Sequence, residues 1–508
     1  MSKKKKNDII VTCAGASVQQ VAGSHWRILY KKDDGTQGVL HVEAGLPQGN
    51  HTILSQYNSM KKMKSDILGG GYVENNKINT SVNAVFCHSH VDHIGLIPLF
   101  NTNNGFKGNI YTIRSGSEIS KKLLKDCFKI HNSDVKYLKT KGKKVDLLYT
   151  EPELYDCFNH YKEVKVGEEI IVDSNLKLFF RYNSHTIDST NLMIYIKKPN
   201  TNRWHTIWYS SDLGNDIGYE LSDFLHKQDI PKKMDLAICE GTYTKKPEIV
   251  LTKQMAIYER NKLKELILSS LKEGKKILMP TFSFSRSQQL ITYLYKWFKD
   301  DEWIRDNNIQ FVMDSNLMLE INKSYSKILE REDKELFDKI MNWSHLKKIS
   351  TYDGTMSFLT DKSPSVVLSS SGFLENGKIQ TYLPVYVSKS NSVIILTGYC
   401  SQDNEGSMAW KLLNNNQKTI TFNGSSKKDR LTVLKRAKIY EFDSFSGHAS
   451  YNQLLKILSE LNCSKIILHH MEDENKETFI KESKEYLRSK NKTTPIIAVN
   501  KGCYEFKL

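Results

Sequence analysis

Features of exported and membrane proteins are scarce in this chain of 508 residues. It contains no run of about 18 apolar residues, which excludes a membrane-spanning helix. The basic start, Met1 to Ile10, is not followed by the apolar stretch of a secretory signal, so we expect a cytoplasmic protein. Hydrophobic residues make up 39% and charged residues 26% of the chain, and these ordinary proportions exclude a fully disordered protein.

Cysteine is present but unpaired in sequence. The eight cysteines are scattered, and no two of them form a C-x-x-C pair. This spacing argues against a disulfide framework and against a zinc site built from thiolates. Any metal bound by this chain would therefore be held by histidine and carboxylate side chains.

Acidic residues are outnumbered. Lysine and arginine total 73 against 57 aspartates and glutamates, which gives a formal net charge of +16. A surplus of this size favours a polyanionic partner such as nucleic acid, but a solvated surface rich in lysine fits the composition equally well. Composition alone does not choose between the two.

The pattern of apolar residues changes near Thr244. Short alternating stretches before this point predict strands, with helices expected over residues 53 to 68 and over Ser117 to His131. After it, strands such as KKILMP alternate with helices such as Ser285 to Phe298, which predicts a second α/β unit with a mostly parallel sheet.

The segment from Asn83 to Gly95, NAVFCHSHVDHIG, carries the strongest chemical signal. An apolar strand ends and is followed within six residues by His88, His90, Asp92 and His93. Side chains two apart in an extended segment share a face, so His88 and His90 can bind one ion while Asp92 and His93, at the following turn, reach a second. Imidazole and carboxylate suit Zn²⁺, and less often Mn²⁺ or Fe. A surface loop rich in histidine by chance is the weaker alternative.

This motif resembles that of the metallo-β-lactamase superfamily, whose fold is an αββα sandwich of two sheets flanked by helices. The resemblance implies two further ligands, His185 in RYNSHTIDST and Asp212 in WYSSDLGN. It also implies that His88, His90 and His185 hold one metal, that Asp92 and His93 hold the other, and that Asp212 bridges them.

Later segments are similar to those of the β-CASP branch, the nucleic-acid nucleases of the superfamily. They are DLAICEGTYT, KKILMPTFSFSRSQQLITYL, VMDS, LSSSGFLENG, ILTGYCSQDNEG, FDSFSGHASY and KIILHHMEDEN. The resemblance implies that Glu240 accepts a hydrogen bond from His448, which acts as general acid or clamps the scissile phosphate. It further implies that His470, with His469 as the alternative, completes the second metal site.

The same likeness implies an α/β protein of three segments: the metallo-β-lactamase domain over residues 1–244 and 445–508, and an inserted α/β β-CASP domain over 245–444. Three positions depart from the family pattern. Glu43 stands where an aspartate is usual, and Ser285 and Met471 stand where glycines are usual. A longer carboxylate at 43 can still support a ligand through a hydrogen bond.

The implied function is a metal-dependent nuclease that hydrolyses phosphodiester bonds with two Zn²⁺ ions, Mn²⁺ being possible. A histidine at position 470 is typical of members that cut RNA, such as the mRNA 3′-end cleavage endonuclease and RNase J, so we expect single-stranded RNA in preference to DNA. The alternatives are a DNA nuclease on the same scaffold and a binding or scaffold subunit with an inactive site.

Overall fold

The computed structural model describes residues 9–15, 21–47, 52–69, 80–104, 106–221, 223–402, 404–422, 430–500 and 505–508. Two compact units make up the chain. The first comprises residues 1–216, 225–250 and 448–508, and the second comprises residues 217–224 and 251–447. The chain enters the main part of the second unit after residue 250 and leaves it after residue 447. These positions lie six and three residues beyond the predicted boundaries at 244 and 444.

The strands of the described residues are, in chain order, β1 (Ile9–Cys13), β2 (Trp26–Lys31), β3 (Gln37–Val42), β4 (Thr80–Val85), β5 (Ile110–Ile113), β6 (Tyr161–Val164), β7 (Glu169–Asp173), β8 (Leu176–Tyr182), β9 (Thr190–Lys197), β10 (Trp204–Tyr209), β11 (Leu236–Glu240), β12 (Lys276–Pro280), β13 (Gln310–Asp314), β14 (Leu346–Ile349), β15 (Ser365–Ser369), β16 (Ser392–Leu396), β17 (Thr419–Phe422), β18 (Leu431–Leu434), β19 (Lys438–Glu441), β20 (Lys465–His469), β21 (Ile496–Ala498) and β22 (Glu505–Lys507).

The α-helices of the same residues are α1 (Ile53–Gly69), α2 (Val91–Ile94), α3 (Arg114–Thr140), α4 (Glu151–Asn159), α5 (Asp216–Leu221), α6 (Lys253–Lys272), α7 (Arg286–Phe298), α8 (Glu302–Asp306), α9 (Asn316–Ile328), α10 (Arg331–Met341), α11 (Tyr352–Thr360), α12 (Ile379–Val387), α13 (Met408–Leu413), α14 (Tyr451–Glu460) and α15 (Lys476–Ser489). Short 3₁₀ helices cover Ile97–Asn104 and Asp473–Asn475. None of the helices seen in the described ranges is both long and apolar enough to cross a membrane.

Two seven-stranded sheets form the first unit. Their strand orders are β22-β1-β2-β3-β4-β5-β6 and β21-β20-β11-β10-β9-β8-β7. The inward side chains of both sheets share one hydrophobic core, in which Trp26, Phe180 and Ile194 are fully buried. A second cluster packs α14 and α15 against the outer face of the second sheet. This is the predicted sandwich of two sheets covered by helices.

Strand direction decides where the site lies. In the first sheet β3, β4 and β5 are parallel, so their carboxyl ends meet at one edge. In the second sheet β10, β11 and β20 run parallel to one another, and β8 shares their direction because β9 lies antiparallel to both β8 and β10. The segments that follow these strands therefore collect at the carboxyl edge of each sheet.

Helix α3 is longer than the sequence predicted. The expected helix ended at His131, but α3 continues to Thr140. Val135 and Leu138 are buried on the same face as His131, so the apolar spacing of a packed helix persists for two more turns. The polar residues between them had hidden this spacing.

The second unit contains a six-stranded sheet of order β14-β13-β15-β12-β16-β19, and every pairing in it is parallel. This confirms the predicted α/β unit. Residues 217–224 belong here because Phe224 packs against Phe337 with ring centroids 5.7 Å apart, and Arg260 donates to the Leu221 carbonyl over 3.1 Å.

Candidate metal centre

All nine predicted site residues lie in the first unit, and all but His448 stand within or shortly after strands that end at the carboxyl edges of the two sheets. The HSHVDH segment follows β4, and Glu43 follows β3. The remaining residues come from the second sheet or from the loop before α14. They are His185 after β8, Asp212 after β10, Glu240 at the end of β11, His448 before α14 and His470 after β20.

One group of ligand atoms comes from His88, His90, His185 and Asp212. Each offers one nitrogen or oxygen, and these atoms all lie within 4.8 Å of one another. Nε2 of His185 is 3.1 Å from Nδ1 of His90, and 3.6 Å separate Oδ2 of Asp212 from Nε2 of both His88 and His185. Three imidazoles and one carboxylate are a donor set that suits zinc.

A second group consists of Asp92, His93, Asp212 and His470. Oδ1 of Asp212 lies 3.2 Å from Nε2 of His93 and 3.5 Å from Nδ1 of His470, while Oδ2 of Asp92 lies 3.4 Å from Nε2 of His470. The two oxygens of Asp212 therefore face different groups, which is the arrangement of a bridging carboxylate.

The donor atoms themselves favour a cation. Nε2 of His88, His93 and His470 and Oδ1 of Asp212 are buried and have no hydrogen-bond partner among the described residues. Buried polar atoms left in this state are costly, and metal coordination would satisfy them. The residues present thus fit the metal that the motif predicts.

Glu43 supports both groups. Its Oε2 lies 2.6 Å from Nδ1 of His93, and its Oε1 accepts a 2.9 Å hydrogen bond from the Ser211 hydroxyl. Nδ1 of His88 lies 3.0 Å from that same hydroxyl. Because Ser211 donates to Glu43, it accepts from His88, so Nε2 of both His88 and His93 is left with its lone pair toward the cluster. Tyr209 also donates its hydroxyl proton to Glu43.

Burial and neighbouring charges together set the protonation states of the histidines in the two groups. Burial lowers the pKa of His90 to about 4 and holds that of His88 well below its ordinary value, so both rings are neutral ligands at pH 7. Burial also disfavours the charged form of His93, but Asp212, Glu43 and Asp92 outweigh it and raise its pKa. The surroundings of His93 thus stabilise positive charge.

Two family models match the chain outside the HSHVDH segment. One, described as the Beta-Casp domain, matches residues 287–412, and another, described as the Zn-dependent metallo-hydrolase RNA specificity domain, matches residues 432–495. These matches and the ligand clusters agree with the resemblance to the β-CASP branch of the metallo-β-lactamase superfamily: residues 287–412 are similar to its Beta-Casp domain, and residues 432–495 to its RNA specificity domain.

Curated relatives of this chain carry nuclease and termination-factor names. It is 24% identical over 389 residues to Endoribonuclease YSH1 of Candida glabrata and 24% identical over 395 residues to Endoribonuclease ysh1 of Schizosaccharomyces pombe, covering 76% of the chain and 47% of each relative. It is 25% identical over 404 residues to Transcription termination factor FttA of Methanocaldococcus jannaschii, covering 77% of the chain and 58% of that relative. The chain thus spans about half the length of the curated relatives it matches.

His448 and Glu240 lie beside the metal ligands, but the predicted hydrogen bond between them is absent. Nδ1 of His448 is 3.9 Å from Oε1 of Glu240, which is too long for a hydrogen bond. Glu240 instead accepts from the backbone amides of Leu213 at 3.2 Å and Thr242 at 2.6 Å. It therefore fixes the loop that presents Asp212.

The position of His448 comes from the backbone. The residue forms an isolated bridge with Gly214, and the amide of Ala449 donates to the Leu213 carbonyl over 2.7 Å. Its ring centroid lies 4.4 Å from that of His185, and its Nδ1 lies 4.0 Å from Oδ2 of Asp212. Burial disfavours its charged form, but Glu240 and Asp212 outweigh burial and raise its pKa. The ring is thus well suited to hold a proton beside the cluster.

Of the two adjacent histidines, His470 is the one that reaches the cluster. The His469 ring points into the core, with its centroid 5.4 Å from that of Trp26 and 5.5 Å from that of Tyr209. His470 follows the strand with a φ of 55°, and Nδ1 of its ring lies 3.2 Å from the Thr242 hydroxyl. The ligand alternative at His469 therefore finds no support in the geometry.

Glu43→Gln tests the supporting carboxylate. The amide removes the negative charge that holds His93 and Ser211 while nearly preserving volume, so we expect zinc affinity to fall by about 10–100-fold. Competition with a chromophoric chelator measures the affinity, and thermal unfolding of the metal-free variant controls for loss of fold. Zinc affinity within twofold of wild type would show that Glu43 does not support the ligands.

Proposed function

We propose that this chain is a hydrolase with two Zn²⁺ ions that cleaves phosphodiester bonds of single-stranded RNA. The observation that carries the proposal is the pair of four-residue donor groups that share Asp212. One group, with His88, His90 and His185, would hold the first ion, and the other, with Asp92, His93 and His470, would hold the second. Mn²⁺ is the alternative metal for the same nitrogen and oxygen donors.

A pair of bound metal ions supplies Lewis acidity, which screens the charge on the phosphate and lowers the pKa of an attacking water. The protein's part is to orient and to move protons. Asp212 is positioned to accept a hydrogen bond from the attacking water, since its carboxylate lies between the two donor groups. Glu240 holds the Asp212 loop through the amides of Leu213 and Thr242.

We assign to His448 the role of protonating the leaving-group oxygen. It belongs to neither donor group, its side chain is 22% exposed, and its raised pKa favours the protonated ring. An imidazolium beside the phosphate can donate its proton as the P–O bond breaks, which is worth about 10²–10⁴ in rate. These features suit a general acid better than a ligand.

RNA is favoured over DNA as the substrate by two observations: a stretch of the chain matches the model described as an RNA specificity domain, and curated relatives are named endoribonucleases. The net charge of +16 favours a nucleic acid of either kind. Since phosphate contacts from lysine and arginine dominate nucleic-acid affinity, this charge suits a polyanionic substrate. The complete donor set argues against an inactive scaffold. A cytoplasmic location stays a prediction.

The test offers end-labelled single-stranded RNA and DNA of the same sequence to the purified protein with Zn²⁺ or Mn²⁺. We expect RNA to be cut at least about tenfold faster, and EDTA-treated protein to cut neither. Products resolved on a gel report the rate and the cleavage position together. Faster cleavage of DNA would assign the DNA nuclease alternative, and a zinc-loaded protein that cuts neither would assign the scaffold alternative.

A further inference from the structure

The outer face of α3 carries four lysines in one line. Lys121, Lys125, Lys129 and Lys136, here called the lysine stripe, fall within about 80° of one another around the helix at 3.6 residues per turn. They span about 23 Å along the axis at 1.5 Å per residue. The opposite face is buried through apolar residues that include Leu123, Leu124, Val135 and Leu138. Lys129 and Lys136 are exposed and Lys121 and Lys125 are half-buried, so the stripe lies on the side of α3 opposite its buried apolar face.

Positive charge is concentrated in α3 and the four residues that follow it. Residues 114–144 contain ten basic and three acidic side chains, a net charge of +7, which is nearly half of the +16 carried by all 508 residues. None of the four stripe lysines lies within 4.0 Å of an acidic group in the described parts of the chain. Like charges four residues apart destabilise a helix, so the stripe carries a cost to stability that a bound polyanion would remove.

Aromatic rings flank the stripe. Nζ of Lys125 lies 4.8 Å from the centroid of the Tyr155 ring, and Nζ of Lys121 lies 5.6 Å from that of Tyr161. Phe158 connects the two tyrosines, with centroid distances of 6.0 Å and 5.7 Å. Tyr155 is 46% exposed. Phe158 and Tyr161 are half-buried, so Tyr155 is the accessible ring of the three. Cations beside an accessible ring match the way proteins hold single strands, with phosphates on the cations and a base stacked on the ring.

Helix α3 starts next to the metal centre. The hydroxyl of Ser89, which stands between His88 and His90, donates to the Gly116 carbonyl in the first turn of α3 over 3.3 Å. The stripe begins five residues later at Lys121. A strand lying on the stripe would thus have one end beside the helix terminus that contacts the metal-binding loop.

We propose that the lysine stripe and the Tyr155–Tyr161 aromatic row form an accessory binding site for single-stranded nucleic acid outside the metal centre. The inference rests on the proposed function, because it takes the bound strand to be the enzyme's own substrate. Charge complementarity and the exposed Tyr155 ring select a single strand, since a duplex hides its bases from stacking.

The test compares two variants of the full zinc-loaded chain. Lys121→Gln/Lys125→Gln/Lys129→Gln/Lys136→Gln removes the stripe and keeps helix propensity. Lys334→Gln/Lys339→Gln/Lys347→Gln/Lys348→Gln removes the same charge from four exposed lysines in a segment where acids are interleaved. Both carry His448→Ala, which slows cleavage and leaves the donor groups intact. Fluorescence anisotropy with a labelled 20-nucleotide oligouridylate measures affinity from 50 to 200 mM salt, and circular dichroism checks folding.

If each stripe lysine neutralises one phosphate, the stripe variant's slope of log affinity against log salt becomes shallower by about 2.8. Between 50 and 200 mM salt, the RNA affinity of the parent, which carries His448→Ala alone, then falls about 50-fold more than that of the stripe variant. The control variant should lose affinity as the parent does. The corresponding Lys→Arg quadruple variant should restore the slope. Tyr155→Ala should weaken binding about fivefold or more, because one stacking platform is lost.

Equal slopes for the stripe and control variants would overturn the inference, even if the wild-type protein cuts RNA as proposed. Loss of binding in the stripe variant alone would support it, even if no cleavage is detected, so the two proposals fail separately. A stripe variant that binds RNA normally but loses binding to vesicles containing phosphatidylserine would reassign the surface to an anionic membrane and overturn the nucleic-acid site.

Discussion

Replacing Asp212 with alanine is expected to lower RNA cleavage by at least about 10³-fold. The side chain is almost fully buried, and its two oxygens face different donor groups, so its loss removes one ligand from each. It also removes negative charge that holds the pKa of His93 high. Cleavage assays measure kcat/KM, and mass spectrometry of the desalted protein should find fewer than two zinc ions per chain.

Asp216→Ala is the matched control for this prediction. Asp216 lies four residues further along the chain, at the start of α5, is exposed, and belongs to neither donor group. Its variant should keep wild-type activity and zinc content. An Asp212→Ala protein that retained two zinc ions and a tenth of the activity would contradict the bridging role.

His448→Ala is expected to slow RNA cleavage by about 10²–10⁴ while zinc content stays unchanged. The ring is outside both donor groups, so removing it takes away a proton donor and no ligand. Substrate binding should change much less than turnover if the proton is transferred only as the bond breaks. Single-turnover kinetics at saturating protein separates the two.

A substrate with a better leaving group distinguishes the two roles considered for His448. A nitrophenyl phosphodiester expels a stable anion and needs no proton, so the general-acid role predicts that His448→Ala cuts it nearly as fast as wild type. An equal loss on both substrates would instead assign His448 to clamping the phosphate. Activity within tenfold of wild type on RNA would contradict both.

The metal ligands could be predicted from the sequence because they stand shortly after strands, where side chains meet at one edge of a sheet. His88 and His90 follow an apolar strand directly, and their spacing of two is enough to place both rings on one side. His185, Asp212 and His470 required the family pattern, since a single histidine or aspartate after a strand is usually structural. Strand direction then explains why these distant segments meet, because parallel strands bring their carboxyl ends to one edge.

The supporting contacts lay beyond sequence reasoning. Glu43 was expected to support a ligand through a hydrogen bond, but the sequence did not identify its contacts with Tyr209 and Ser211, more than 160 residues away. Ser211 gave no signal except its place before Asp212. In the structure Nδ1 of His448 lies 3.9 Å from Oε1 of Glu240, beyond hydrogen-bond distance, and the carboxylate accepts from two backbone amides, which leave no trace in a sequence.

The other departures have local explanations. Ser285 adopts a φ of 68° before α7, the left-handed conformation that glycine adopts at least cost, which accounts for the usual glycine there. Met471 is fully buried in the cluster that packs α14 and α15 on the second sheet. Each substitution changes packing or backbone strain locally, and neither residue belongs to a donor group.

The pairing of β20 with β11 has a consequence for biosynthesis. These neighbouring strands are separated by 224 residues, from Glu240 to Lys465, and most of the second unit is made between them. At about 5–20 residues per second, a ribosome needs roughly 11–45 s to cross this gap. Throughout that interval the nascent polypeptide exposes the open edge of β11 and lacks His470, so an emerging chain acquires its complete set of ligands only after translation has passed the far side of the insertion.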